Sequence, residues 1–169
     1  IWSNHRKYHE RILRPLIYNS TWHETYWQAN KSTKDWYSEI DDWLDKDLNE
    51  FLSYKFLYET PHFFREFSKD PNKKFYSFNF DPKDLIINFL TFKLQTTLKL
   101  NLQFNRIYMN IQHPGMSGEF HTDDNEGGLT CLYMLVGSGD FEIKDEKTFQ
   151  FKKNKLICFD ARKLHMGHA

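Results

Sequence analysis

The stretch Arg106-Ile107-Tyr108-Met109-Asn110-Ile111-Gln112 decides how the chain is read. Up to about Lys99 the apolar residues recur at helical spacing; here they recur at every second position. Ile107, Met109 and Ile111 share one face, and Arg106, Tyr108, Asn110 and Gln112 share the other. A period of two is the mark of a half-buried strand. The pattern persists to the end of the chain. Pro114-Gly115 and Ser117-Gly118 break it, and Phe120 to Asp123 reads as the next strand. A loop at Asn125 to Gly128 leads to a strand at Leu129 to Val136, and Gly137-Ser138-Gly139 turns into Asp140 to Lys144. Thr148 to Lys152 is short and extended, and Lys155 to Phe159 is an apolar strand that delivers Asp160 to His165. Short strands with glycine turns at this spacing predict an antiparallel sandwich or barrel.

Working back, two helices precede the strands. Ser38 to Glu59 carries Ile40, Trp43, Leu44, Leu48, Phe51, Leu52 and Phe56 on one stripe, with Ser38 as cap and Pro61 as stop. Pro82 to Lys99 is the second helix. Asp81 is its cap, and its inner stripe is Leu85, Ile86, Phe89, Leu90, Lys93 and Leu94. Between them His62 to Phe67 is expected to add a helical turn, Lys69 to Asn72 to turn, and Tyr76 to Phe80 to form a short strand. Residues 1–37 are rich in large rings (Trp2, Tyr8, Trp22, Tyr26, Trp27, Trp36, Tyr37), read first as core or cover and second as a wall for substrate. His5, His9 and His23 have no partner at metal-ligand spacing. The class is therefore α+β with a mainly β core buttressed by N-terminal helices. The whole of 1–169 reads as a single domain, with 1–100 as support and the β core from Asn101. The first residue is Ile1, so an upstream segment is expected.

Composition excludes several functions. The 23 basic and 23 acidic residues balance, and so do the halves: from Asn101 onward 8 Lys/Arg stand against 9 Asp/Glu. Electrostatic capture of nucleic acid is not indicated. No apolar run approaches the roughly 18 residues that span a membrane. Cys131 and Cys158 lie in apolar runs and read as buried free thiols, which fits a reducing cytosol. The excess of Lys over Arg, with much Asn, Ile and Phe, suggests an AT-rich bacterial or viral genome.

The chemistry lies in His121-Thr122-Asp123. On a strand, H-x-D presents an imidazole and a carboxylate on the same side, with Thr122 turned away. His165 follows directly after an apolar strand and can bring a second imidazole. Two imidazoles and a carboxylate on one side of an ion suit non-haem iron(II) and leave positions open opposite them. Zinc accepts the same donors. His168 is a rival to His165, and His113 beside Pro114 reads as a loop residue.

With these motifs in order, Asn101 to Ala169 resembles the double-stranded β-helix, or jelly-roll, core of iron(II)/2-oxoglutarate dioxygenases, in their prolyl-4-hydroxylase-like branch. The resembling segments are Arg106 to Gly115, Gly118 to Asp123, Leu129 to Leu135, Gly139 to Ile143 and Cys158 to His165. The resemblance implies iron(II) held by His121, Asp123 and His165, with 2-oxoglutarate and O2 as co-substrates. Hydroxylation of a substrate C–H would accompany decarboxylation to succinate. Related halogenases lack the carboxylate ligand, so Asp123 favours hydroxylation. Peptidyl proline is the branch's usual substrate class; a free amino acid, another small molecule or a nucleobase is the alternative. Where relatives carry Asn-x-Tyr before the glycine, this chain has Asn110-Ile111-Gln112. Its amides, with Tyr108 on the same face, are the candidates for holding 2-oxoglutarate. Relatives place an Arg or Lys some ten residues after the distal histidine, so the chain is expected to continue beyond Ala169. Two other readings stand: a non-catalytic ligand-binding module on the same fold, and a zinc hydrolase, for which no glutamate is placed as an evident general base although Glu119 and Glu126 are near in sequence.

Overall fold

The computed structural model describes residues 37–65, 75–102, 106–125 and 127–168. The aromatic N-terminal segment, its three histidines and the turn expected at Lys69 to Asn72 lie outside the described residues. In chain order the elements are β1 (Tyr37–Ile40), α1 (Lys46–Tyr54) running into a π-helical turn (Lys55–Glu59), β2 (Phe63–Arg65), β3 (Phe75–Asn79) and α2 (Leu85–Leu98). Then come β4 (Tyr108–Ile111), β5 (Leu129–Met134), β6 (Asp140–Ile143), β7 (Lys147–Gln150), β8 (Lys155–Asp160) and β9 (His165–His168). The strands form three antiparallel three-stranded sheets, ordered β1-β8-β5, β2-β3-β4 and β7-β6-β9. The protein is thus β-rich α+β, as the change of period predicts.

One core decides where the site sits. Met134, Ile157 and Phe159 from β5 and β8 pack with Phe141, Ile143 and Phe149 from β6 and β7, so the first and third sheets meet face to face. β8 runs through this core with Leu156 to Phe159 essentially inaccessible. It is a central strand covered on both faces, which is why its sequence is continuously apolar.

Three local expectations are corrected. Ser38 does not cap a helix: Tyr37 to Ile40 is extended and pairs with β8, Tyr37 opposite Phe159 and Ile40 opposite Leu156. The helix starts later, at Asp45, whose carboxylate accepts from Leu48 N at 2.9 Å. Ile40 had extended the helical stripe by coincidence, because a four-residue strand samples too little sequence to declare its own period. In the second helix the cap is Asp84, accepting from Ile86 N and Ile87 N, while Asp81 closes the preceding turn. The buried stripe also differs, because packing against the rest of the protein selects the face: Ile87, Leu94 and Leu98 are buried, whereas Leu85 and Phe89 face outward. Phe63 to Arg65 is a strand on β3, not a helical turn. The strand expected at Tyr76 to Phe80 is present as β3, between β2 and β4.

A buried polar hub ties α1 to the first sheet. Asn154 Oδ1 accepts from Leu44 N (3.0 Å) and from the Tyr133 hydroxyl (2.9 Å), and its Nδ2 donates to Leu44 O (2.7 Å). Asn49 donates to the same Tyr133 oxygen. Asn154 sits at φ 68°, a left-handed conformation that asparagine tolerates better than most residues. Trp43 packs edge-on to Tyr133 and donates to Thr97 Oγ1 at 2.9 Å, which attaches α2.

Candidate metal centre

His121 is not in a regular strand. It forms an isolated antiparallel bridge with His165, His121 N donating to His165 O at 3.1 Å and His165 N to His121 O at 3.0 Å. Two residues on, Asp123 N donates to Ala161 O at 2.9 Å. The segment is thus laid antiparallel along the connection from β8 to β9. This corrects the strand expected at Phe120 to Asp123, yet it preserves the alternation. His121 and Asp123 point to one side, and Thr122 turns away to donate to Asn125 Oδ1.

The donor atoms of His121, Asp123 and His165 lie within 4.8 Å of one another. Asp123 Oδ1 is 3.8 Å from His121 Nε2, and Asp123 Oδ2 is 3.5 Å from His165 Nε2. The two rings are 4.4 Å apart between centroids. Each ring uses its other nitrogen on the backbone: His121 Nδ1 donates to Glu119 O (2.8 Å), and His165 Nδ1 donates to Lys163 O (2.9 Å). A neutral imidazole with Nδ1–H so engaged has its Nε2 lone pair free and aimed inward, the tautomer a metal needs. His165 is buried against Phe159 and Phe141. Desolvation pushes its pKa below the ordinary imidazole value, outweighing the nearby carbonyl and the Asp123 charge. It is held as a neutral base. Two neutral nitrogens and one carboxylate oxygen converging from one side fit a divalent cation.

The carboxylate is itself held at both oxygens. Thr130, on β5, donates to Oδ2 at 2.7 Å, and Arg106 Nη2 donates to Oδ1 at 2.9 Å. The Arg106 guanidinium also lies over the Tyr108 ring, 5.0 Å from its centroid. Desolvation, and then the negative charge of Asp123, hold the Tyr108 phenol above its ordinary pKa, so it stays protonated. Thr130 and Arg106 are partners of Asp123 that the reading of the sequence passed over. Arg106 had a signal, since in the sequence it alternates in phase with Tyr108, although it lies just before β4; Thr130 had none beyond its place in a strand.

The remaining candidates fall as follows. His168 turns to Glu142, 3.3 Å away, and takes no part in the cluster. Gln112 donates to Gly167 O at 3.3 Å, so it is docked on β9 two residues past His165. A side chain on Gly167 would meet Gln112 Oε1 at 2.9 Å, so it would have to displace the end of Gln112. Asn110 lies on the exposed face of β4 opposite Ser77. Arg162 is committed to Asp160 and buried Lys163 to Glu146, which leaves neither directed at the cluster.

Comparison with solved structures then gives the fold a relative. The chain superposes on a prolyl-4-hydroxylase from Pseudomonas putida with a TM-score of 0.58, over 82% of this chain and 88% of that one. The likeness is one of fold. Sequence identity is only 14%. No family model and no curated protein matches the sequence. Among the described residues no helix is long and apolar enough to cross a membrane.

Proposed function

We propose that this chain is an iron(II)- and 2-oxoglutarate-dependent dioxygenase that hydroxylates a substrate C–H bond on a jelly-roll core. The single observation that carries this reading is the convergence of His121, Asp123 and His165, with each imidazole's Nδ1 tied to a backbone carbonyl. The fold likeness to a prolyl-4-hydroxylase supports it and makes peptidyl proline the first substrate to test.

Bound iron(II) would supply the activation of O2 and the oxidative decarboxylation of 2-oxoglutarate. The chain's own residues do the rest. His121 and His165 each donate from Nε2, and Asp123 supplies the one negative charge. Thr130 fixes the carboxylate's rotation through Oδ2. Phe141 and Phe159 exclude water from behind His165 and keep it neutral. Tyr108, Asn110 and Gln112 are proposed to meet 2-oxoglutarate through a phenol and two amides. Gln112 is already directed to the backbone beside His165.

One observation favours a second reading, a non-catalytic ligand-binding module. Arg106 pairs with Asp123 Oδ1 at 2.9 Å, an ion pair that would compete with a cation for the carboxylate. One assay separates the two. The protein is incubated with iron(II), 2-oxoglutarate, ascorbate and O2, and succinate is quantified. Proline-containing peptides and small molecules are then searched by mass spectrometry for the gain of one oxygen. Iron-dependent succinate formation is expected. A protein that binds no divalent metal and forms no succinate would overturn the dioxygenase reading.

A further inference from the structure

Cys131 and Cys158 occupy directly opposed positions on the neighbouring antiparallel strands β5 and β8. Their place in the ladder fixes the geometry. Ala161 N donates to Gly128 O at 3.0 Å, so Gly128 and Ala161 form a hydrogen-bonded pair. Such pairs alternate along an antiparallel ladder. Counting inward in this register makes Thr130 and Phe159 a hydrogen-bonded pair, and Cys131 and Cys158 a non-hydrogen-bonded one. In that kind of pair the Cα atoms stand about 4.5 Å apart and the side chains approach most closely. A disulfide needs a Cα separation of about 4.4–6.8 Å, with both Cβ vectors on one side. The opposed positions meet both conditions without moving the backbone.

The surroundings make the two thiols unequal. Cys158 is fully buried, and Cys131 is half-buried. A hydrogen bond to the Cys131 sulfur, reinforced by burial, holds the Cys158 thiol well above its ordinary pKa. The two side chains lie opposite each other across the ladder, and solvent reaches the pair through Cys131. A buried thiol opposite an accessible one is placed to resolve a sulfenic acid formed on the accessible sulfur.

We propose that Cys131 and Cys158 are a site of oxidative modification, forming a reversible cross-strand disulfide when the protein meets hydrogen peroxide. Cys131 sulfur attacks one peroxide oxygen, the O–O bond breaks, and the other oxygen leaves as water, giving a sulfenic acid. Cys158 sulfur attacks the sulfenic sulfur, the S–O bond breaks, and a second water departs with the Cys158 proton. Two thiols are oxidised by two electrons and one peroxide is reduced to two waters. The bond would pin β5 to β8 one residue from Thr130, which holds Asp123. The inference stands on strand register and does not depend on the metal reading.

The test uses the full chain. The folded protein is treated with hydrogen peroxide, quenched with catalase, unfolded in denaturant and alkylated with iodoacetamide. The expected result is a monomer on a non-reducing gel, lighter by two hydrogens and carrying no alkyl group. Dithiothreitol should restore two alkylatable thiols. Cys131→Ser should leave Cys158 alkylatable after the same treatment. Two alkylated thiols in peroxide-treated wild type would overturn the proposal. So would a sulfinic acid at Cys131 beside a free Cys158, or a disulfide-linked dimer. The wild-type result requires no variant to fold.

Discussion

Asp123 carries the only formal negative charge among the three converging donors, so it sets the sharpest expectation. Asp123→Ala should abolish binding of manganese(II), a redox-quiet stand-in for iron, measured by anaerobic titration calorimetry. His168→Ala should leave that affinity nearly unchanged, because His168 is engaged with Glu142 instead. Comparable losses for the two variants would contradict the assignment. Thr130→Val keeps the side-chain shape and removes one hydrogen bond to the carboxylate. It should weaken metal affinity by about 10-fold, the lower range for residues that orient ligands. His165 adds a pH expectation. Its folded pKa lies below the ordinary value, so between the two the unfolded chain binds the extra proton. The stability it contributes is present above about pH 6.5 and is lost as pH falls through the folded value. Thermal melts of the metal-free protein from pH 7.5 down to 5.5 should show this loss, and His165→Gln should flatten it. The pair His121 and Asp123 was legible because alternation survives even in a segment that makes only one bridge. Preferring His165 to His168 was also legible, from its nearness to an apolar strand. Arg106 as a partner of Asp123 was not, since 17 residues separate them and only folding closes that gap.

Asn154 tests the element scale, because one amide joins α1, β5 and the turn before β8. Asn154→Ala would leave Leu44 N and O and the Tyr133 hydroxyl short of a partner at once. An orphaned buried polar group costs about 1–3 kcal/mol, and the left-handed φ adds strain for alanine. A loss of at least ~2 kcal/mol in urea-unfolding free energy is expected, and a neutral result would remove the hub from the account. Strands β4 to β8 were readable because each carries either alternation or a continuous apolar run, whereas β9 was not: His165 to His168 is extended because it pairs with β6. β1 was not, because what makes Tyr37 to Ile40 a strand is β8, more than a hundred residues away. The second helix was readable in its existence but not its start. Two aspartates three residues apart, Asp81 and Asp84, are each competent caps, and Pro82 suits either arrangement.

For the molecule as a whole, a bound metal should act as a staple. Its three ligands come from the His121 segment and from β9, and a ligand that binds only the folded state stabilises it by mass action. At a free manganese(II) concentration of 100 times Kd the gain should be about 2.7 kcal/mol, read as a rise in melting temperature that Asp123→Ala abolishes. A melting temperature unmoved by metal would argue against the centre. The sequence by itself determined the class of this protein, because period two, glycine punctuation and continuous apolar runs are local consequences of how strands bury their faces. It likewise determined which residues could serve as donors, since H-x-D needs only extended backbone to aim both groups one way. The tertiary structure alone decided that β1 is a strand, that Arg106 and Thr130 grip Asp123, and that Cys131 meets Cys158. Each of those depends on register between segments far apart in sequence, and register is set by the packing of the whole core rather than by any one stretch of chain.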